Sequence, residues 1–490
     1  MKILISSFGL GNAPISTFID HFYRWFGKQL VAEKCDFRFL LNEENFVLNL
    51  TSHSLDRLNP VILTNKESRF VIQSVYNAQV YYGVNGLNDA EANRLRSIIY
   101  NKLGNWNPDV IISLGVANCR KIWQNIYPKA LCLTQENAIF SRPPYPRTLC
   151  YDPIGISKGS FLTTFSEDIK SVSIDENQRK SVENFRKKLV TLLESNSTVS
   201  EQIIEETKKF RKTVLLPLTG NFLPYYVGES KYRNSFDLLE YVLKNIPRDV
   251  GVFVTESDIS GILDDENYAY FHQKYPNFIF MKKANIKGFN AASLHFLPYV
   301  DAVINEYSKT GITALLYDKP VISLADPSND LIKDGNIEDL EKVLSAPVRN
   351  KDNILYWYFT HYVVFQKDFE KENFLRNFLK TKLEKFRDHG IGFDFYEQIN
   401  DFDDVANYVL DCVKNYYAPK TAEPPKQNVV SDSTVNRKIV ELENAVQELE
   451  KLLKRPSFLE YQRVRLLSHI TFGKTKCHYV EKKKKYKTCI

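Results

Sequence analysis

The sequence predicts an α/β protein: two parallel-sheet domains facing a cleft, followed by a C-terminal helical and coiled-coil segment and a basic tail. Three observations carry this. Short apolar runs alternate with helical stretches twice along the chain, which is the pattern of repeated strand–helix units. A charged helical stretch separates the two series, and beyond residue 418 the composition changes to a proline-rich linker, a heptad-like repeat and a lysine run. At 490 residues the chain exceeds what one ordinary core organises. The expected divisions are a first sheet domain over 1–175, a helical bridge over 176–212 and a second sheet domain over 213–345. Helices packing back on the junction follow over 346–417, then a linker over 418–433 and the coiled-coil helix and tail over 434–490.

Composition excludes several classes. With 43% hydrophobic and 13% aromatic residues the chain fills large cores, yet no stretch approaches the roughly 20 apolar residues of a membrane span. Residues 1–8 form too short an apolar run for a secretory signal, so a cytoplasmic protein is expected. Cys35, Cys119, Cys132, Cys150, Cys412, Cys477 and Cys489 are scattered with no Cys-x-x-Cys pair, which argues for reduced thiols and against a structural zinc. The sequons at Asn49 and Asn196 are too short a pattern to outweigh that compartment. The net charge of +6 is uneven: residues 461–490 hold nine lysines and arginines against Glu481 alone, a local +8, so the remaining 460 residues sum to −2. A near-neutral body with a basic tail fits an anionic surface as partner, not nucleic acid.

Taken in order, residues 1–7 read as a buried strand that runs into Gly9 and Gly11 and then a helix from about Pro14 to Phe26. Pro14 stands where the third glycine of a dinucleotide fingerprint belongs, which argues against a nicotinamide or flavin site. Gly9 and Gly11 still permit close backbone approach to a ligand. Strands follow at 37–41 and 70–75, a helix at 89–103, and the apolar run 108–115, a buried parallel strand ending in Ser113 and Gly115. Ligands bind at the carboxyl ends of such strands, so Ser113 and Gly115 either face the cleft or simply end the strand in a tight turn.

Residues 133–162 carry Glu136, Asp152, Arg142, Arg147 and four prolines without a helical or strand period. Prolines fix their own dihedrals and push the preceding residue toward extended backbone, so 141–147 is expected as a stiff irregular loop able to hold functional groups. The bridge comes next, then a second series: strands at 213–218, 250–255, 278–281, 302–304 and 320–323, with helices at 235–245, 292–298 and 311–317. Residues 352–382 read as helices. Asp401, Asp403 and Asp404 resemble a metal-holding pair, but Asp before a helix is better read as its cap, and no metal is expected. Val435, Ile439, Leu442, Val446, Leu449 and Leu453 mark a coiled-coil seam, which serves either a homodimer through 435–453 or packing on the body. The tail over 461–490 suits an anionic membrane surface or remains solvated.

The stretch 302–322 is a strand, a turn with Ser308, Thr310 and Gly311, a helix start and a second strand. Hydroxyls and backbone N–H groups converge there, either as a phosphate cradle or as an ordinary helix cap. This string resembles the S-T-x-G-x-E-A-L-x-x-G-K-P-V-I stretch of bacterial capsule and lipopolysaccharide glycosyltransferases of the GT-B fold, which has two Rossmann-like domains. It matches at Ser308, Gly311, Ala314, Leu315, Lys319, Pro320, Val321 and Ile322 and departs at Thr313 and Asp318. Glu136-Asn137 with Asp152, Gly155 and Ser160 is similar to the pattern of the capsule-type β-Kdo transferases. The resemblance implies nucleotide-sugar-dependent, retaining transfer of Kdo or a similar acidic sugar from a CMP donor to a glycan or glycolipid, with no cofactor, at the inner face of the cytoplasmic membrane. It makes Asp152 the nucleophile, Glu136 the acid/base and Arg142 and Arg147 holders of donor carboxylate or phosphate. It also expects a His-Pro where this chain has Thr255, Glu256 and Ser257; Thr255 and Ser257 remain able to donate hydrogen bonds, while Glu256 repels a phosphate unless it turns away. A UDP-sugar or CDP-polyol donor, or an inactive scaffold, is the alternative.

Overall fold

The computed structural model describes residues 1–6, 28–42, 59–64, 66–67, 89–114, 120–196, 201–219, 230–256, 261–280, 292–347 and 350–418. Met1–Ala418 forms one compact unit containing two sheets.

The first sheet has seven strands in the order β13-β6-β5-β4-β1-β2-β3. Its parallel centre is β1 (Lys2–Ser6), β2 (Asp36–Asn42), β3 (Pro60–Leu63), β4 (Val110–Leu114) and β5 (Leu131–Asn137). Strands buried on both faces read as continuous apolar runs, and every residue of β4 is buried. Two antiparallel strands extend the edge: β6 (Thr148–Asp152) turns back on β5, and β13 (Val364–Phe365) pairs with β6. The second sheet is parallel throughout, in the order β12-β11-β10-β7-β8-β9. It comprises β7 (Lys212–Leu218), β8 (Val250–Glu256), β9 (Phe278–Phe280), β10 (Ala302–Asn305), β11 (Val321–Ser323) and β12 (Gly335–Asn336).

Two expectations change. Glu136 and Asp152 lie on β5 and β6, not in a periodless loop; only the connection between them is irregular. The alternation is hidden because all five β6 residues are buried, β13 covering what would otherwise be an open edge. The 352–382 stretch contains a strand as well as helices: helix Asp352–Trp357 passes through a π-turn into β13 before helix Phe374–His389. Two residues are too few to leave a period. The expected strand at 70–75 and helix at 14–26 lie outside the described residues; a strand not expected from the sequence is found at Pro60–Leu63.

One hydrophobic cluster spans both sheets. It joins Ile3, Ile5 and Ile112 of the first to Leu215, Phe253 and Val303 of the second through Phe185 of helix Glu176–Glu194 and the aromatic segment around Phe359. That helix opens with a full capping box, Asp175 accepting from the Gln178 N–H and the Gln178 amide oxygen accepting from the Asp175 N–H. Arg186 on the same helix donates to the Leu315 carbonyl at 3.2 Å, to Asp352 at 2.6 Å and lies 3.1 Å from Asp318. A single side chain thus ties the bridge to the second sheet's helical layer and to the segment returning to the first sheet.

Candidate active site

Strand register sets Ser6 beside Ser113, Ser113 beside Thr134 and Thr134 beside Asp152. Residues paired in this way share a face, so four polar side chains cross the first sheet as one row at the carboxyl end of its parallel strands. All four are buried, Asp152 to 1% exposure. Glu136, two residues beyond Thr134, lies on the same face opposite Cys150.

Asp152 is fully engaged. Oδ1 accepts from the backbone N–H groups of Ile154 and Gly155 at 2.8 and 2.9 Å; Oδ2 accepts from the Phe161 N–H and the Tyr362 hydroxyl, both at 2.8 Å. Burial pushes its carboxyl up to about 6, against the opposing pull of those four donors. The sequence explains the turn: Asp-Pro-Ile-Gly places a carboxylate where it gathers the next N–H groups, and Ser160 caps the helix that follows by accepting from Thr163 N–H at 3.2 Å. Nucleophilic attack by Asp152 therefore requires one of these bonds to open.

Glu136 is placed differently. Oε1 accepts from its neighbour's N–H, Asn137, at 2.7 Å and from Lys309 Nζ at 2.9 Å. Oε2 is buried and has no hydrogen-bond partner among the described residues. Lys309 belongs to the turn after β10, in the second sheet's half of the unit, so this ion pair joins the two sequence patches singled out above. Cys150 sits among Lys309, Asp152 and Glu136, and burial drives its thiol up to about 12, which keeps it protonated and unreactive.

The irregular loop expected at 141–147 forms, as part of a connection over 138–147. Tyr145 stacks on Phe140 at 4.4 Å, Arg147 Nε donates to the Ser141 carbonyl at 3.4 Å, and the Arg147 carbonyl receives Gln366 N–H at 3.1 Å. Arg142 and Arg147 are both half-buried, and Arg147 folds onto its own loop.

In the second sheet Ser308 Oγ donates to Thr310 Oγ1 at 3.0 Å and accepts from Thr310 N–H at 3.2 Å, so these hydroxyls are spent largely on each other. The helix they were expected to open, Thr310–Ala314, is five residues long, and its capping position is Lys309 with no side-chain cap. Neither Ser308 nor Thr310 is the N-cap, and so short a helix offers little of the dipole a phosphate cradle needs. Gly311 is closely packed: a Cβ there would meet Asn305 Nδ2 at 2.6 Å and Ile332 Cδ1 at 2.9 Å, so those side chains would have to shift. Beneath the turn Asn329 Nδ2 donates to the carbonyls of Asn305 and Glu306, both at 2.9 Å, while its Oδ1 accepts from Asn305 Nδ2 at 2.9 Å, pinning the end of β10 to the loop after β11. The two departures from the family string are explained locally. Thr313 bonds back to the Lys309 carbonyl at 3.0 Å, and Asp318 adopts φ +51°, the left-handed conformation for which glycine is ordinarily chosen.

Thr255 is fully buried and shares a 2.7 Å hydrogen bond with Ser293. Glu256 turns away from the strand end, accepting on Oε1 from the N–H groups of Ile262 and Leu263, which removes the repulsion its position suggested. Gly9, Gly11, Gly115, Ser257, the seam 435–453 and the tail 461–490 lie outside the described residues. Asp401 caps helix Phe402–Tyr417 by accepting from Asp404 N–H at 3.1 Å. Among the described residues no group of His, Cys, Asp and Glu could hold a metal, and no helix is long and apolar enough to cross a membrane.

Sequence reasoning missed Lys309, Asn305, Asn329 and Tyr362. Lys309 was legible as a charge between two hydroxyl residues in a strand-to-helix turn, and Asn305 as a polar residue closing an apolar strand; Asn329 and Tyr362 come from distant segments with no local signal.

No protein-family model matches the chain, and no curated protein matches it significantly. Among solved structures it is similar to two of Thermosulfurimonas dismutans KpsC. The β-Kdo 2,7-transferase is 13% identical, with a TM-score of 0.36 over 60% of this chain and 90% of that one. The β-Kdo 2,4-transferase is 14% identical, with a TM-score of 0.37 over 62% and 87%. Arabidopsis thaliana UGT89C1 complexed with UDP is 10% identical, with a TM-score of 0.33 over 84% and 99%.

Proposed function

We propose that the chain is a GT-B glycosyltransferase of surface-polysaccharide assembly, moving Kdo or a similar acidic sugar from a CMP donor to a glycan or glycolipid. The observation that carries this reading is the Lys309–Glu136 contact at 2.9 Å: it joins the two patches that resemble the capsule transferases, one from each sheet. Glu136 Oε2, buried and without a partner among the described residues, is the atom available to take a proton. In the transfer, Glu136 accepts the acceptor hydroxyl's proton, the acceptor oxygen bonds the anomeric carbon, and the bond from that carbon to the donor phosphate breaks, releasing CMP.

Two routes remain, and one observation favours the second. With Asp152 as nucleophile, its carboxylate first displaces CMP to form a covalent glycosyl ester, the acceptor oxygen deprotonated by Glu136 then displaces Asp152, and configuration is retained. With Asp152 held by four hydrogen bonds, it organises the loop instead, and Glu136 alone drives a direct displacement with inversion.

The purified chain, offered CMP-, UDP- and CDP-linked donors with capsule-type acceptors, should transfer from the CMP-linked acidic sugar. Glu136→Gln should lower kcat by about a hundredfold or more. Transfer from no donor would refute the enzyme reading, and transfer only from UDP- or CDP-linked donors would refute the donor assignment. Intact-mass analysis of Glu136→Gln with CMP-Kdo decides the route: a sugar adduct on Asp152 establishes the covalent path, while an unmodified mass with an inverted product by NMR establishes the direct one.

A further inference from the structure

We propose that Lys309 is the residue that recognises the donor's phosphate and that Glu136 is its resting counter-ion, so that donor binding exchanges one anion for another and frees the carboxylate. The inference rests on the glycosyltransferase reading for the identity of the anion, but the exchange itself rests on geometry. Lys309 retains 41% of its side-chain exposure while Glu136 retains 13%, so the lysine end of the pair is open to an incoming ligand and the acid end is enclosed.

Glu136 does not depend on Lys309 for its position. Its Oε1 is also held at 2.7 Å by the Asn137 N–H, so the carboxylate stays in place when the ammonium leaves. Lys309 can leave: its charge rides on a flexible four-carbon stem. Its backbone, by contrast, is fixed, because its carbonyl accepts from Thr313 Oγ1 at 3.0 Å and from Thr313 N–H at 3.1 Å. A partly exposed ion pair contributes little, whereas a phosphate offers more charge and more acceptor oxygens to the same ammonium. The phosphate should therefore win. The consequence is ordered chemistry: Glu136 Oε1 gives up its cation only when the leaving phosphate takes it, which also places positive charge where negative charge develops.

The test measures anion affinity of the full chain by calorimetry at low salt, with CMP, UDP and inorganic pyrophosphate as probes and thermal melts to verify folding. Lys309→Ala should weaken binding about tenfold, and Lys309→Arg should restore it to within about threefold. Glu136→Gln should tighten binding about three- to tenfold, because the competing internal anion is gone; a merely structural glutamate would not do this. In the Lys309→Ala background, Glu136→Gln should have no effect. Affinity unchanged by Glu136→Gln, or tightening that persists without Lys309, would overturn the exchange while leaving the transferase reading intact. Pyrophosphate binding with the expected pattern, but no binding of either nucleotide, would sustain the exchange and sink the transferase reading. Binding of no probe by either the parent chain or Glu136→Gln overturns both.

Discussion

Buried charge is handled in three ways in this molecule, and each has a measurable consequence. Asp152 is held by four donors, Glu136 by a cation and one N–H on a single oxygen, and Lys382 by one carbonyl and aromatic rings. Lys382 is 3% exposed; its Nζ donates to the Phe395 carbonyl at 2.8 Å and lies 4.4 Å from the Tyr396 ring centroid and 5.0 Å from that of Phe395. Burial pulls its ammonium down to about 7 from an ordinary 10.5. Between those two values the folded chain is neutral there and the unfolded chain is charged, so the unfolded state binds the extra proton and stability rises with pH. Below about 7 both states are charged and the burial cost is fully present. Lys382→Met should therefore stabilise the protein at pH 6 and flatten the rise toward pH 10, read from urea midpoints at each pH. A variant that keeps the parent's slope would show that the lysine is not its source.

Among elements, helix Phe374–His389 is instructive because its own sequence does not cap it. Asn373, at the capping position, adopts φ +56° and makes no side-chain cap bond. Glu33, from the turn before β2, supplies the missing acceptor: Oε2 takes the Arg376 N–H at 2.7 Å and Oε1 the Leu375 N–H at 3.3 Å. A carboxylate at a helix start satisfies orphan donors and opposes the dipole, and here it also docks the returning segment on the first sheet's half. Glu33→Ala should cost about 1–2 kcal/mol in equilibrium unfolding, with hydrogen exchange at Leu375 and Arg376 accelerating more than in β4. Unchanged protection at those two amides would rule out the capping role.

At the scale of the whole unit, Arg186 stands at the junction of bridge, second sheet and returning segment. Asp352 beneath it is 1% exposed, and its Oδ2 has no partner among the described residues, so the pair survives through Arg186 alone. Removing one member of a buried pair leaves an uncompensated charge and costs about 3–5 kcal/mol. Arg186→Met should approach that figure, while Arg186→Met with Asp352→Leu should recover most of it, as denaturant titration would show. A double variant as unstable as the single one would mean that the charge left behind is not the cause.

Much of the fold was legible from the chain itself. The two strand–helix series, helices 89–103 and 235–245 and the cap at Asp401 follow from local period and capping chemistry, which neighbours in sequence determine. So did the patches that meet at the site, since polar residues at the ends of apolar strands stand out wherever those strands pack. The tertiary structure alone decided how those patches act. β13 turned an apparent loop into a hairpin, Tyr362 and Phe161 filled the acceptors of Asp152, and Glu256 was drawn onto Ile262 and Leu263. Lys309 reached Glu136 from 173 residues away. The physical reason is the same in each case: an acid's role is set by which donors reach it, and those donors come from segments that only folding brings within about 3 Å.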